Sequence, residues 1–204
     1  AHRIDLVVPC MDAATAVLSE LAREIEAQGC WPVVSDPSIC RTFHDKRLAQ
    51  RWFVENGIPT PVWDPSAPLP WIVKHAFGFG SRQQYVVYSP EELRSLQARI
   101  VLQDHVVQPL VDGPEYTIDA YVSRSGEVLG CVTRQRLEVA GGEVVRSLTV
   151  RKGPLIELCC RILRSGGFRG PITLQAIEHH GEFLLNEINP RFGGGVILSM
   201  EAGA

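Results

Sequence analysis

Three residues with side-chain oxygens stand close together near the carboxyl end of the chain. Gln175, Glu187 and Asn189 belong to two apolar, β-prone segments separated by a polar His-His-Gly-Glu break, a pattern that predicts a β-hairpin. A turn centred on Gly181 sets Gln175 opposite Glu187, and strand alternation puts Asn189 on the face of Glu187. Such oxygen ligands suit a hard cation such as Mg²⁺, which usually also keeps waters or phosphate oxygens. Arg191 follows, and a guanidinium beside such a site suits a phosphoryl group in transfer.

The same alternation makes a wider prediction about the second strand of the hairpin. The face that carries Glu187 should also carry Phe183 and Leu185, nearer the turn. The opposite face is then made of Leu184, Asn186 and Ile188. Alternation by itself is equally consistent with a two-sided hairpin whose polar residues only face water.

Two lysines further upstream have a context that suits phosphate binding. Lys74 ends an apolar strand and precedes a loop that contains Gly78, Gly80 and Ser81. A lysine in that position supplies a point charge, and the glycines let backbone N–H groups approach a phosphate closely. The Gly-x-Gly-Ser sequence is also a common hairpin turn. Lys46, at the start of a predicted helix, would on its own be a solvated surface lysine.

The middle of the chain offers further polar candidates. Gln108 and Leu110 precede an Asp-Gly-Pro turn and Glu115 follows it; without more context Glu115 is an ordinary surface acid. Arg134 and Arg136 share one face of a later strand, where two guanidinium groups repel each other unless an anion lies between them. They suit a carboxylate or a phosphate, or else belong to a solvated strand face.

The composition limits the class of protein. With 204 residues, 45% hydrophobic and 21% charged, the chain can form one large domain or two small ones with a real core. A net charge of -3 gives no basic surface for nucleic acid, and no apolar run reaches the roughly 18 residues of a membrane helix. The six cysteines include no Cys-x-x-Cys pair, which argues against a zinc site or a disulfide framework and fits a reducing cytoplasm.

The order of elements predicts a mixed α/β organisation. Residues 1–40 have a strand–helix–strand pattern, which favours parallel pairing. The chain begins at Ala1 rather than Met, and its last residues look like the middle of a helix. We therefore expect it to be a piece of a longer protein.

Several motifs follow one another in an order that is typical of one family. They are Asp-Lys with Gly-Ile-Pro-Thr-Pro, Val-Lys with Gly-x-Gly-Ser, Gln-Pro-Leu with Gly-Pro-Glu-Tyr, Arg-Leu-Glu, and Gln with Glu-Ile-Asn-Pro-Arg. Together they resemble the ATP-grasp superfamily, especially the branch of the carbamoyl phosphate synthase large subunit and the carboxylate–amine ligases. The resemblance runs from about residue 41 to the end of the chain.

This resemblance implies an α+β ATP-grasp fold, in which two subdomains at 41–107 and 108–204 clamp ATP after the remnant of an α/β domain at 1–40. It implies that Mg²⁺, with Mn²⁺ as a substitute, is held on ATP by Gln175, Glu187 and Asn189. The residues implied to act on the transferred phosphoryl group are Arg191 and Lys74. Those implied to bind the nucleotide are Lys46, Lys74, Gly78, Gly80, Ser81, Gln108, Leu110, Glu115 and Arg136.

The activity implied by the resemblance is ATP-dependent joining of a small carboxylic acid to an amine or amino acid, through an acyl phosphate and with release of ADP. A cytoplasmic homodimer that uses neither nucleic acid nor a membrane fits the family. One alternative is an enzyme that phosphorylates bicarbonate, as carbamoyl phosphate synthase does. Another is a nucleotide-binding module without catalysis.

This sequence departs from the family at two places. Arg82, Gln83 and Gln84 follow the phosphate loop where a further glycine is usual, so Arg82 itself could reach a phosphate. Gln108 replaces a usual glutamate and Pro109 a frequent lysine. The phosphate loop is therefore the place where we most expect divergence from family behaviour.

Overall fold

Two antiparallel sheets and one short parallel pair of strands are found in the residues that the computed structural model describes, which are 3–62, 66–77 and 83–203. The helices are α1 (Asp12–Glu20), α2 (Ala22–Ala27), α3 (Pro37–His44), α4 (Lys46–Glu55), α5 (Pro90–Gln97), α6 (Gly153–Leu163) and α7 (Val196–Glu201). The strands are β1 (Leu6–Val7), β2 (Trp31–Pro32), β3 (Trp71–His75), β4 (Gln84–Val87), β5 (His105–Pro109), β6 (Glu115–Val122), β7 (Val128–Ala140), β8 (Glu143–Val150), β9 (Gly170–His179) and β10 (Glu182–Asn189).

The amino-terminal unit has the predicted parallel pairing. β1 and β2 pair in parallel, with Leu6 opposite Trp31, and α1 and α2 connect them. This unit is joined to the rest of the chain through Ser35, whose hydroxyl accepts the N–H of Arg169 at 2.9 Å and donates to its carbonyl at 3.1 Å. The unit therefore packs directly beside the start of β9.

The larger sheet has the order β10-β9-β6-β7-β8 with antiparallel neighbours. Its strands alternate between an apolar face and a polar face, as period-two side-chain direction requires. The apolar face forms the main core with residues of α3, α4 and α6. Its buried members include Phe43, Phe53, Tyr116, Ile118, Leu155, Ile162, Leu174, Leu185 and Ile188. The opposite face is left free to carry polar side chains.

The smaller sheet has the order β4-β3-β5 and a core of its own with α5. This core contains Trp71, Val73 and Leu93. Ser89 caps α5, because its hydroxyl accepts the N–H of Glu92 at 3.1 Å. The sheet is thus a separate layer that can present the end of β3 to the larger sheet.

The predicted carboxyl-terminal hairpin is confirmed, but one detail of its alternation is wrong. Gln175 lies opposite Glu187 as expected, while Leu185 lies opposite Ala176. One extra residue, Asn186, is therefore inserted as a β-bulge, which shifts every later side chain by one face. Leu185 and Ile188 consequently share the apolar face, both fully buried, and Glu187 does not share a face with Leu185.

The mixed α+β content agrees with the predicted fold class. The division at residues 40 and 107 stays a prediction; residue 107 lies inside β5, and α4 contributes to the core of the larger sheet. In the described part of the chain, no helix is both long enough and apolar enough to cross a bilayer.

Candidate active site

The polar face of the larger sheet brings together several of the residues that the sequence singled out. Strand register places side chains of β6, β7, β9 and β10 on this face, opposite the buried Tyr116 and Ile118. They are Glu115, Thr117, Asp119, Arg134, Arg136, Thr173, Gln175, Glu187 and Asn189. The face therefore combines carboxylates, amides and guanidinium groups next to the smaller sheet.

Lys46 reaches this face from the first residue of α4. Its ammonium nitrogen lies 3.0 Å from Oε1 of Glu187, and both side chains are about three-quarters buried. Asp45 caps the helix by accepting the N–H of Arg47 at 2.8 Å, and the N–H of Lys46 donates to Ala76 at 2.9 Å. The start of α4 is thus fixed between the two sheets, which directs Lys46 to Glu187.

Lys74, at the end of β3, reaches the same strand one residue earlier. Its ammonium nitrogen donates to Oδ1 of Asn186 at 2.7 Å. Burial lowers the pKa of Lys74 to about 8, and the nearby carboxylate of Glu187 opposes part of this decrease while Lys46 adds to it. Among the described residues, the hydrogen-bond partner of Lys74 is an amide oxygen rather than a carboxylate, so this buried ammonium group is suited to an anion.

The two sheets enclose a cleft around these lysines. Its polar lining consists of Lys46, Gln50, Lys74, Gln108, Asn186 and Glu187. Gln108 is buried and donates to the carbonyl of Pro61 at 3.1 Å. The backbone N–H of Leu110 donates to the carbonyl of Pro70 at 2.8 Å. An adenine ring bound at Leu110 would therefore donate to the Leu110 carbonyl, since the N–H could bind it only if the bond to Pro70 broke.

Arg136 is enclosed by the polar face rather than solvated. Its Nη1 lies 3.0 Å from Oε2 of Glu115 and 3.2 Å from Oε1 of Gln175. Its Nε is buried and has no partner among the described residues. A buried N–H without a partner is costly, so this group is suited to a ligand oxygen.

Arg134 is paired separately, so the two arginines do not share one anion. Its Nε donates to Oδ2 of Asp119 at 2.7 Å, and the same oxygen accepts the hydroxyl of Ser199 at 2.6 Å. Arg134 and Asp119 are both almost fully buried. This ion pair connects β6, β7 and α7, and the solvated-face alternative is wrong for Arg134 and Arg136.

Arg191 has a carboxylate partner that lies far away in sequence. Its Nε and Nη2 donate to the two oxygens of Asp12 at 2.8 and 2.9 Å, and its Nη1 donates to the carbonyl of Phe192 at 2.9 Å. Asp12 is the first residue of α1. The amino-terminal unit therefore contributes directly to the environment of Arg191.

Comparison with known families decides the classification. A family model described as ATP-grasp in the biosynthetic pathway with Ter operon matches residues 101–204, which is half of the chain. The chain belongs to the ATP-grasp superfamily. This confirms the resemblance that the order of the sequence motifs indicated.

Two curated relatives of the ATP-grasp chain are ligases or synthases. The 3-methyl-D-ornithine–L-lysine ligase of Methanosarcina barkeri is 27% identical over 106 residues, 52% of this chain and 28% of the relative. The carbamoyl phosphate synthase large chain of Thermomicrobium roseum is 28% identical over 200 residues, 84% of this chain and 18% of the relative. The chain thus spans less than a third of either relative.

A solved structure shows the same fold. The biotin carboxylase domain of Hydrogenobacter thermophilus 2-oxoglutarate carboxylase, a dimer in complex with MgADP, ADP and bicarbonate, superposes with a TM-score of 0.78 at 15% identity. The superposition covers 95% of this chain and 49% of that one. The superposition therefore includes nearly the whole of this chain.

The donor set on β9 and β10 fits a divalent cation in an ATP-grasp chain. Gln175 and Glu187 face each other in register, and Asn189 follows on the same face. The side-chain oxygens of Gln175 and Glu187 each already accept a bond from a cationic side chain, so they are directed at positive charge. One carboxylate with amide oxygens leaves coordination positions for phosphate oxygens, which suits Mg²⁺.

Some predicted residues are placed and others lie outside the described chain. Lys46, Lys74, Gln108 and Glu187 line the cleft, and Glu115, Arg136 and Gln175 form one connected cluster. The predicted phosphate-loop residues Gly78, Gly80 and Ser81, and also Arg82, fall outside the described residues. The roles of all these residues stay predictions.

Three contacts of this ATP-grasp site were not foreseen from the sequence. Asn186 was assigned to the opposite face because alternation alone cannot reveal a bulge. Asp12 precedes Arg191 by most of the chain, and no local signal links them. For Arg134 the sequence indicated only that it and Arg136 would need an anion, and it did not identify Asp119 as the partner of Arg134.

Proposed function

We propose that this chain catalyses ATP-dependent joining of a carboxylic acid to an amine, through an acyl phosphate and with release of ADP. The observation that carries the proposal is the meeting of Lys46 and Lys74 on consecutive residues of β10, Glu187 and Asn186. Two ammonium groups from different elements thus converge on neighbouring residues of one strand inside a cleft. Such a concentration of positive charge suits a polyphosphate.

The chain's own residues would act mainly by position and charge. A carboxylate oxygen of the acid attacks the γ-phosphorus, a new P–O bond forms, and the bond to the leaving oxygen of ADP breaks. Lys46, Lys74 and Arg191 neutralise negative charge on the transferred group as this happens. The amine nitrogen then attacks the acyl carbon, a C–N bond forms and the nitrogen loses a proton, and inorganic phosphate leaves with the electron pair of the broken C–O bond.

Gln175, Glu187 and Asn189 would hold Mg²⁺, or Mn²⁺ in its place, beside the phosphates. The bound ion supplies further neutralisation of phosphate charge. The presence of MgADP in the related 2-oxoglutarate carboxylase domain supports this assignment. Lys46, which now pairs with Glu187, would turn towards a phosphate when the carboxylate binds the ion.

The position of the cleft beside the polar face supports our proposal for the remaining nucleotide contacts. Gln108 and the carbonyl of Leu110 would meet the adenine, and Glu115 the ribose hydroxyls. The buried, unpartnered Nε of Arg136 would donate to a nucleotide oxygen. Gly78, Gly80 and Ser81, which lie outside the described residues, are proposed to contact the phosphates.

A second candidate is phosphorylation of bicarbonate instead of an organic acid. The match to a carbamoyl phosphate synthase over 200 residues and the bicarbonate in the related carboxylase domain both favour it. The two candidates share the first step, since each begins with an oxygen of a carboxylate-type anion attacking ATP. They differ in whether ADP release needs bicarbonate alone or an organic acid with an amine.

The decisive experiment compares Glu187→Ala with Glu178→Ala in thermal unfolding with and without Mg-ATP. Glu178 is a matched control because it also lies in the β9–β10 hairpin and pairs with a lysine, Lys152, at 2.9 Å. A magnesium-dependent rise of the midpoint in the wild type and in Glu178→Ala, lost in Glu187→Ala, would support the site.

Turnover is then measured as ADP release with acid–amine pairs and with bicarbonate. Release that requires both an acid and an amine supports ligation, and release with bicarbonate alone supports the second candidate. Nucleotide binding without ADP release under either condition would indicate a binding module and contradict catalysis. No midpoint rise in the wild type would contradict the nucleotide site itself.

We further propose that the enzyme works as a homodimer in a reducing cytoplasm, with no nucleic acid or membrane partner. The dimeric state of the related carboxylase domain supports the first part, and six cysteines that all occur as free thiols support the second. Size-exclusion chromatography with light scattering would measure the molar mass and so test the dimer. The mass of a monomer at micromolar concentration would contradict it.

A further inference from the structure

The side chain of Arg191 is held along one edge by a residue of the amino-terminal unit. Asp12 accepts from Nε at 2.8 Å and from Nη2 at 2.9 Å. This side-on, two-bond geometry fixes the plane of the guanidinium group as well as its position. Both side chains are mostly buried, with exposed fractions of 19% for Arg191 and 26% for Asp12.

The backbone at Arg191 is fixed without any help from Asp12. The carbonyl of Arg191 accepts the hydroxyl of Thr173 at 3.0 Å, and its N–H donates to Asn189 at 2.8 Å. Loss of Asp12 would therefore leave the strand end in place and free only the side chain.

Helix α1 is also held in place without Asp12. It packs against α3, it buries Thr15 and Ser19 completely, and Glu20 at its far end pairs with Arg41 of α3. The Asp12–Arg191 pair is thus not needed to dock the helix. Its specific consequence is the orientation of one guanidinium group.

The pairing leaves two donors of Arg191 for a ligand. An arginine has five N–H donors, of which Asp12 takes two and the carbonyl of Phe192 takes one. The other two, one each on Nη1 and Nη2, have no partner among the described residues. Two free N–H donors on one guanidinium group can each meet an oxygen of a phosphoryl group.

We propose that Asp12 is a positioning residue that holds the two remaining donors of Arg191 ready for the phosphoryl group in transfer. The inference rests on the proposed function, and it makes the amino-terminal unit a part of the phosphoryl-transfer site. Asp12 touches neither substrate nor nucleotide; it acts through Arg191.

The test measures binding of MgADP alone and of MgADP with aluminium fluoride, which imitates the phosphoryl group in transfer. We expect the wild type to bind the aluminium fluoride complex at least about tenfold more tightly than MgADP. In Asp12→Ala the affinity for MgADP should be unchanged, and most of the gain in affinity that aluminium fluoride produces should be lost. Asp12→Glu, which keeps the carboxylate, should recover part of the gain, and Asp12→Asn should not.

Glu20→Ala is the matched control, since it removes the other ion pair of α1. If it lost the gain as well, the effect would come from helix docking and the positioning role would be wrong. An equal gain in Asp12→Ala and wild type would also overturn the inference, and so would a wild type that gains nothing from aluminium fluoride. A wild type that does not bind MgADP would instead overturn the proposed function.

Discussion

Gln175 lies directly opposite Glu187 across the β9–β10 pair, although Leu185, two residues before Glu187, points into the core. Asn186 makes both positions compatible, because the bulge adds one residue between them. The same residue accepts the ammonium of Lys74 at 2.7 Å. A single insertion in the strand thus turns the carboxylate to the polar face and provides a partner for a lysine of the smaller sheet.

Deletion of Asn186 should therefore leave the later side chains on their present faces. Without the extra residue Glu187 follows Leu185 directly and still lies opposite Gln175, and Ile188 stays in the core. The deletion and Asn186→Ala both lose the bond to Lys74, so each should lower the free energy of unfolding by about 1 kcal/mol. Urea unfolding of both variants checks this, and a deletion far less stable than Asn186→Ala would mean that the bulge itself is needed for the register.

The depressed pKa of Lys74 predicts that nucleotide affinity falls as the pH rises. With a pKa of about 8 in the free protein, the ammonium form is mostly present at pH 7 and mostly lost at pH 9. Binding of ATP requires the charged form, so the dissociation constant should increase about tenfold between pH 7 and pH 9. Calorimetry in buffers of different ionisation enthalpy should show proton uptake on binding near pH 8.

Stability should change with pH in the opposite direction. Between pH 8 and about 10.5 the unfolded chain holds a proton on Lys74 that the folded protein lacks, so this residue's contribution to stability rises with pH. Lys74→Met removes the titrating group and should abolish both trends. Wild-type affinity that stays constant from pH 7 to pH 9 would contradict the lowered pKa or the contact of Lys74 with ATP.

In the loop after Arg191, glycine is required at Gly195 and not at the neighbouring Gly194. A Cβ on Gly195 would overlap the guanidinium of Arg134, with only 2.9 Å to Cζ, whereas a Cβ on Gly194 would meet nothing within 4 Å. Gly195→Ala should lower the free energy of unfolding by about 1–3 kcal/mol, and Gly194→Ala by much less. Chemical denaturation of the two variants tests this, and an equal loss would show that chain flexibility, rather than overlap, is decisive.

Much of the fold could be predicted because it depends on local patterns. The hairpin, the parallel β1–β2 pair and the cap of α5 follow from alternation, turn residues and helix-start signals. The predicted pairing of Gln175 with Glu187 is also present, but for a different reason: Glu182 pairs with His179, so the turn lies between His180 and Gly181, and the bulge at Asn186 sets Glu187 opposite Gln175.

The parts of the site that could not be predicted depend on contacts between distant segments. Asp12 meets Arg191 only because α1 packs on α3, and no spacing in the sequence encodes this contact. Asn186 looks like any strand residue, because a bulge leaves no mark on local composition. Alternation leaves open whether Arg134 is solvated or faces an anion, and its burial with Asp119 and Ser199 becomes visible only in the packed structure.

The buried pair of Asp119 and Arg134 should respond differently to single and double substitution. Asp119→Ala leaves an uncompensated guanidinium in the interior, and we expect a loss of about 3–5 kcal/mol in the free energy of unfolding. Asp119→Leu combined with Arg134→Met removes both charges and should be clearly more stable than Asp119→Ala. The hydroxyl of Ser199 then loses its acceptor, so some of the loss should remain. A double variant as unstable as the single one, measured in the same urea titration, would mean that the pair's hydrogen bonds, and not the stranded charge, hold α7 to the sheet.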